Sequence, residues 1–309
     1  MRTFDVAIIG GGPAGLSAAF YAGRLNLSTL LIERHQFGGK ITEAPMIENY
    51  PGFPEGISGP KLTEKLLAQA LRRNVQTWRG EVVELLLNQE NKLIRTSNED
   101  FSARALVIAG GTEYKRLDVP GEDDLIGKGL SFCALCDGPS FAGKPVAVIG
   151  AGDGGLSQAL HLLQFSDKII VIEKFPQPTA SPVLLQRARS DPRISFILST
   201  MVGRVEKMEE GILLCLENIA ENTRSEILVG GAIISVGLIP NTSYLKDTLL
   251  LNERGGWIIA DLEMRTCAAG VFSAGDIRAG SPRQAIAAVA DGVTAVISAF
   301  RFLKGDWDG

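Results

Sequence analysis

Apolar runs that stop at a glycine recur along this chain. Phe4 to Ile9 runs into Gly10, Val146 to Ile149 runs into Gly150, and Leu106 to Ala109 runs into Gly110-Gly111. Short apolar runs closed by turn residues read as buried strands. Two of these runs continue alike. Asp5 to Ala19 aligns with Pro145 to Ala159, and both read strand, G-x-G-x-x-G, then helix. Each goes on to a second strand, Thr29 to Ile32 and Lys168 to Ile172, and each of these ends in an acid, Glu33 and Glu173. The echo occurs only twice, so it is a duplicated βαβ unit rather than a short solenoid repeat. Each unit predicts a parallel sheet with a ligand site at the strand C-termini.

Between the two units, Glu81 to Leu87 and Leu93 to Thr96 predict meander strands. After the second unit, Arg204 to Met208, Ile212 to Glu217 and Ala232 to Val236 predict strands that close in Gly237-Leu238-Ile239-Pro240-Asn241. From Pro282 to about Lys304, apolar residues fall at helical spacing (Ile286, Val289, Val293, Val296, Ile297, Phe300), which predicts a long amphipathic helix. Turn signals at Lys115–Pro120 and Pro240–Thr242 mark hinges, so the second unit is expected as an insertion. The expected domains are 1–115 with 241–309, and 116–240.

Composition narrows the classes. The 309 residues suffice for two cores, and 35 glycines suit tight turns and close approach to ligands. The net charge is −4 with no long basic run, which argues against a nucleic-acid surface. No uninterrupted apolar stretch reaches about 18 residues, so no membrane span is expected. Met1 leads straight into a strand with no secretory segment, and a cytoplasmic protein is expected.

Four cysteines are too few for a disulfide scaffold. Cys133 and Cys136 form a C-x-x-C pair just before the second glycine motif, and such a pair can close a small disulfide. Zinc takes four ligands as a rule, and the chain has only His35 and His161 with no second C-x-x-C, so no metal site is expected. Cys215 and Cys267 read as small buried hydrophobes. In the first glycine motif, Gly10 allows the turn, Gly12 lets backbone reach a pyrophosphate, and Gly15 lets helix pack on strand. Pro13 and Ala14 open the helix whose N–H groups face that phosphate, and Glu33, eighteen residues after Gly15, is placed to accept from ribose hydroxyls.

With Gly10–Gly15, Gly38-Gly39, Glu48-Asn49-Tyr50-Pro51-Gly52, Ile108-Ala109-Gly110-Gly111, Cys133-Ala134-Leu135-Cys136-Asp137, Gly270 to Asp276 and Arg283-Gln284, the chain resembles the low-molecular-weight thioredoxin reductase family over nearly its whole length. The resemblance implies an α/β fold of two Rossmann-like nucleotide-binding domains, the second inserted into the first, in a homodimer. It implies FAD in the first domain, held by the glycine motif with Gly39, Lys40, Asn49, Ala109, Gly110, Gly275, Asp276, Arg283, Gln284 and Ala285. Asp276 would hold the ribitol chain, and Arg283 and Gln284 would lie beside the flavin ring. Cys136 would be the cysteine nearer the flavin, Cys133 would exchange with a thioredoxin-like dithiol protein, and Asp137 would protonate the departing thiolate; the alternative for Asp137 is a turn residue before Gly138.

Three departures qualify the resemblance. NADPH-using members carry a His-Arg-Arg-type cluster after the second motif, where this chain has Glu173-Lys174-Phe175-Pro176. A carboxylate repels a 2′-phosphate, and one lysine cannot clamp it bidentately. The second site (Gly150, Gly152, Asp153, Gly154, Gly155, Glu173, Lys174) is therefore expected to hold NADH, a second FAD or nothing rather than NADPH. Lys40 stands where the family usually has Gln, and a cation there favours reduced, anionic flavin, unless it points to solvent. Gly305-Asp306-Trp307-Asp308-Gly309 places one aromatic beyond the last helix, either stacked on a flavin or in a disordered tail. The expected activity is two-electron exchange between FAD and the Cys133–Cys136 pair, fed by ferredoxin or a second FAD. The alternatives are an ordinary NAD(P)H-dependent thioredoxin reductase and a redox-sensing flavoprotein without turnover.

Overall fold

The computed structural model describes residues 1–87, 90–245, 249, 251–253 and 255–306. The tail residue Trp307 lies outside the described residues. The chain divides into two compact units, Met1–Glu113 with Ile239–Gly309, and Tyr114–Leu238.

The first unit opens with β1 (Arg2–Ile9), α1 (Pro13–Arg24) and β2 (Thr29–Glu33), then α2 (Gly59–Ala70), β3 (Val75–Arg79), β4 (Val82–Leu86), β5 (Lys92–Thr96) and β6 (Phe101–Ile108). The sheet runs β3-β2-β1-β6-β5-β4. Its β1, β2, β3 and β6 pair in parallel, and β4 and β5 return antiparallel. Alternation along β1 explains why its last four residues are all apolar: Val6 and Ile8 enter one core with α1, while Ala7 and Ile9 enter another with Leu85 and Ile94. Strand β3 carries Gln76 and Thr77 among exposed positions, so its sequence gives no apolar run.

Strand β7 (Thr112–Tyr114) crosses into the second unit. There follow α3 (Glu122–Leu125), β8 (Leu130–Ser131), α4 (Ala134–Asp137), β9 (Val146–Ile149), α5 (Asp153–Leu162), β10 (Ile169–Ile172), α6 (Pro182–Ser190), β11 (Ile194–Ile197), β12 (Thr200–Met208), β13 (Gly211–Asn218), β14 (Thr223–Val229) and β15 (Gly231–Ile234). A parallel sheet runs β11-β10-β9-β15-β8, and β12-β13-β14 form a separate antiparallel sheet. Val146 and Val148 face α5 through Leu156 and Ala159, while Ala147 and Ile149 face the antiparallel sheet through Val202, Leu214 and Val229. Strand β14 escapes the sequence pattern because Thr223 to Glu226 are all exposed.

Strand β16 (Leu238–Pro240) returns the chain to the first unit and pairs with β7. There β17 (Val271–Ser273) joins the C-terminal half of β6 in parallel, and α7 (Ala285–Lys304) closes the unit. By length and composition α7 could cross a membrane. It packs instead on α1, with Ala288, Ala295, Val296 and Ala299 in the same core as Leu16 and Ala18. The contact is close because residue 292 is glycine: a Cβ there would fall 2.0 Å from the Ala14 carbonyl oxygen. The two remaining cysteines are not buried as expected, since Cys215 is half-buried and Cys267 is exposed. Cys267 lies in the turn ahead of β17, outside any regular element that would carry it into a core.

Candidate active site

The three glycines of the first motif do different work. Gly10 has φ +105°, and a Cβ on it would lie 2.2 Å from the Ala109 carbonyl oxygen. A Cβ on Gly15 would lie 1.7 Å from the Gly10 carbonyl oxygen. Protein packing alone requires those two glycines. Gly12 is unlike them: the nearest atom to its Cβ would be Gly38 O at 4.0 Å, and its backbone is extended with φ −74°. Among the described residues nothing forbids a side chain at position 12, so its glycine points to a ligand lying over it. Gly12 is also the N-cap of α1 and gives no side-chain cap, which leaves N–H groups turned outward.

Several other first-unit residues lie against that turn. Glu33 Oε2 accepts from Gly11 N at 2.6 Å and Oε1 from His35 N at 2.8 Å. Gly38 N donates to Gly11 O at 2.7 Å, which sets Gly39 and Lys40 beside Gly12. Lys40 Nζ donates to the Thr112 carbonyl, so it does not point to solvent, and burial lowers its pKa to about 8. Ala109 and Gly110 follow β6 directly, and Asn241 Nδ2 donates to Gly110 O at 2.8 Å. Asn49 Nδ2 donates to Gln284 Oε1 at 2.8 Å, joining two distant segments. Asp276 follows Gly275, whose Cβ would lie 2.9 Å from Ala14 Cβ, so this turn sits against the start of α1. Burial holds the Asp276 carboxyl above the usual carboxylate range. Arg283 adopts φ +58° and stacks over Trp257 at 4.4 Å, immediately before Gln284 and Ala285.

Sequence reasoning missed the group that holds this turn. Asp291 on α7 accepts from Arg278 Nε at 2.6 Å, from Arg278 Nη2 at 2.9 Å and from Gly275 N at 3.0 Å. The pair is largely buried. An acid lying among apolar helix positions was the available signal. The open turn over Gly12, the outward N–H groups and the acid at the end of β2 fit a dinucleotide such as FAD. When bound, FAD would supply a two-electron carrier.

In the second unit, Cys133 and Cys136 form a disulfide with Cα atoms 5.3 Å apart. Cys133 is the N-cap of α4, and its Sγ accepts from Cys136 N at 3.1 Å. That N–H would stabilise a thiolate on Cys133 once the bond opens. Cys133 is only 7% exposed, whereas Cys136 is exposed. The exchange role that resemblance gives Cys133 needs its sulfur uncovered. Asp137 is half-buried next to Cys136. Two supports were not read from sequence. Gln158 on α5 accepts from Ala134 N at 2.9 Å, and Phe132 stacks on Tyr114 with centroids 5.4 Å apart.

The second glycine turn repeats the first. Gly150 would collide with Ser235 O at 2.1 Å and Gly155 with Gly150 O at 2.0 Å, yet a Cβ on Gly152 would meet only Thr179 Oγ1, at 3.6 Å. Glu173 copies Glu33: Oε2 accepts from Ala151 N at 2.7 Å and Oε1 from Phe175 N at 3.1 Å. It is 6% exposed. Asp153 accepts from Ser181 N at 2.5 Å, and Thr179 N and Ala180 N both donate to Ala151 O, so the 175–181 loop folds onto the turn. Gly154 lies beside Ser235. Lys174 is exposed and lies over the Phe175 ring at 4.8 Å. Among the described residues no cluster of three or more potential metal ligands occurs.

The pyridine nucleotide-disulphide oxidoreductase family model matches residues 4–292. The chain is 35% identical over 305 residues to the thioredoxin reductase of Bacillus subtilis, covering 98% of this chain and 96% of that protein. The crystal structure of Lactococcus lactis thioredoxin reductase matches with TM-score 0.94 and 34% identity over 98% of this chain and 99% of that one. The thioredoxin reductase of T. acidophilum matches with TM-score 0.92 and 33% identity over 99% of both chains.

Proposed function

From the premise that this chain belongs to the low-molecular-weight thioredoxin reductase family and is a flavin disulfide oxidoreductase, we propose that it runs without NADPH in the usual manner. FAD over the first glycine turn exchanges two electrons with Cys133–Cys136, and that pair exchanges with a thioredoxin-like protein. Ferredoxin or a second FAD stands at the other end of the circuit.

One observation carries this reading. Glu173 is buried, ionisable and hydrogen-bonded at the strand end where a 2′-phosphate would need cations, and it makes the same two backbone bonds as Glu33. An adenosine ribose with a free 2′-hydroxyl can donate to the carboxylate's remaining lone pairs. A phosphate dianion would meet like charge in a buried setting, and Lys174 stacks on Phe175 instead of closing a clamp. In the dithiol step, a partner thiolate attacks one sulfur, the other leaves as thiolate, and Asp137 takes the protonating role that the family resemblance gives it. Asn49, Gln284 and Asp276 orient the carrier in the first unit.

A second reading has its own support. The room over Gly152 suits a bound dinucleotide, which favours an ordinary reductase using NADH or, weakly, NADPH. Stopped-flow reduction of the flavin by NADPH, NADH and reduced ferredoxin separates the two. Rapid bleaching by NADPH overturns the leading reading. Releasing and counting FAD gives two per chain if the second unit holds one. The homodimer belongs to the same proposal and is checked by light scattering on the eluted protein.

A further inference from the structure

We propose that Trp257 is a positioning residue for the flavin site: its ring holds the Arg283 guanidinium, and with it the left-handed backbone at residue 283 that brings Gln284 onto Asn49. The inference rests on the reading that Asn49 and Gln284 orient FAD.

Arg283 has an unusual backbone for its side chain. Its φ is +58°, in the left-handed region. Asn26, Asn74, Asp118 and Asn222 take the same region, as short polar side chains readily do. An arginine has no such local compensation, so its surroundings must hold it there. Two contacts do so. The guanidinium lies over the Trp257 ring, 4.4 Å from the centroid, where the ring's negative face attracts it. Arg283 N donates to Ser281 Oγ at 3.2 Å, and that hydroxyl donates to Asp276 Oδ1 at 3.3 Å.

Trp257 is itself fixed. It is 9% exposed. Its N donates to Asn252 Oδ1 at 3.1 Å, and its carbonyl accepts from Asn252 N at 2.9 Å. The next residue, Ile258, is tied to the segment that leads to Arg283: Ile258 N donates to Ile277 O at 3.1 Å, and Ala279 N to Ile258 O at 2.8 Å. One residue beyond Arg283, Gln284 is extended, with φ −119° and ψ 140°, and is the N-cap of α7. Its Oε1 accepts the 2.8 Å bond from Asn49 Nδ2. That bond is exposed, so it contributes little by itself, and its geometry is set by the backbone that carries Gln284. Helix α7 is held by its packing on α1, so any relaxation at residue 283 is taken up in the strap 281–284. Without the stack, residue 283 leaves the left-handed region and the strap that orients FAD becomes a minor conformation. The apparent affinity for FAD then falls in proportion to the fraction that remains.

The test separates backbone from charge. Arg283→Ala and Arg283→Gly both remove the guanidinium and every contact it makes with FAD, but only glycine takes φ +58° freely. Full-length chains are stripped of flavin and titrated with FAD by flavin fluorescence. Amide exchange over residues 281–288 is followed in the same FAD-free chains. Arg283→Ala should bind FAD about tenfold more weakly than Arg283→Gly and exchange faster across the strap. Trp257→Leu should behave like Arg283→Ala, while Trp257→Phe, which keeps a ring under the guanidinium, should stay within about threefold of native. Adding Arg283→Gly to Trp257→Leu should restore the affinity of the Arg283→Gly chain. Equal FAD affinity with alanine and glycine at 283 overturns the proposal. So does a folded Trp257→Leu chain that Arg283→Gly does not restore, because Trp257 then serves packing alone. If Trp257→Leu does not fold, the two variants at the exposed position 283 still decide. A native chain that takes up no FAD overturns the functional reading itself, and this inference with it.

Discussion

At the residue scale the glycines separate packing from ligand. Gly150→Ala drives a Cβ into Ser235 O from a left-handed backbone, so it should cost several kcal/mol of stability, roughly 2–4 with strain and clash together. Gly152→Ala faces only a van der Waals contact from an extended backbone, so stability should change by less than about 0.5 kcal/mol. The same contrast holds for Gly12 in the first unit. Gly12→Ala should purify folded by circular dichroism yet bind FAD at least about tenfold more weakly, a loss of about 1.4 kcal/mol. Retention of full flavin by Gly12→Ala would show that the open room is not the pyrophosphate site. Glu173 carries a structural duty besides its recognition role. Glu173→Ala strands Ala151 N and Phe175 N, and urea unfolding should report a loss of about 1–3 kcal/mol with no nucleotide present.

At the element scale, helix α7 acts through Asp291. Its carboxylate ties Arg278 and Gly275 N to the helix, so it fixes the turn that carries Asp276. Removing one partner of a buried pair leaves the other charge uncompensated. Asp291→Ala should cost about 3–5 kcal/mol and release FAD before global unfolding, seen as flavin fluorescence rising ahead of the loss of ellipticity. A single coincident transition at the native temperature would refute this role. Helix α5 has a comparable double duty. It opens at the second glycine turn and presents Gln158 to the dithiol turn, which ties the two motifs that stand side by side in the sequence. The motifs themselves were legible because glycine, cysteine and terminal acid have few substitutes. Gln158 and Asp291 were not, because a polar residue inside a helix has many explanations until its partner is known.

At the scale of the whole molecule, each unit has its own core on both faces of its own sheet. The second unit is one continuous segment. Expressed alone, Tyr114–Leu238 should therefore fold with its disulfide and unfold cooperatively in urea. A chain without cooperative unfolding would mean that its core depends on the first unit. The sequence by itself determined the two βαβ units, the long final helix and the C-x-x-C pair. Those features follow from local rules: strand and helix periods, and residue types that a turn or a bond demands. It also marked Glu173 and Lys40 as departures from the family it resembles. Only the tertiary structure decided which glycines answer to packing and which to a ligand, for a Cβ clash depends on strands far away in the chain. It likewise set Glu173 on two backbone N–H groups, buried Cys133 while leaving Cys136 exposed, and seated Lys40 on Thr112. A side chain's neighbours, and hence its charge, are properties of the folded surroundings that no local pattern encodes.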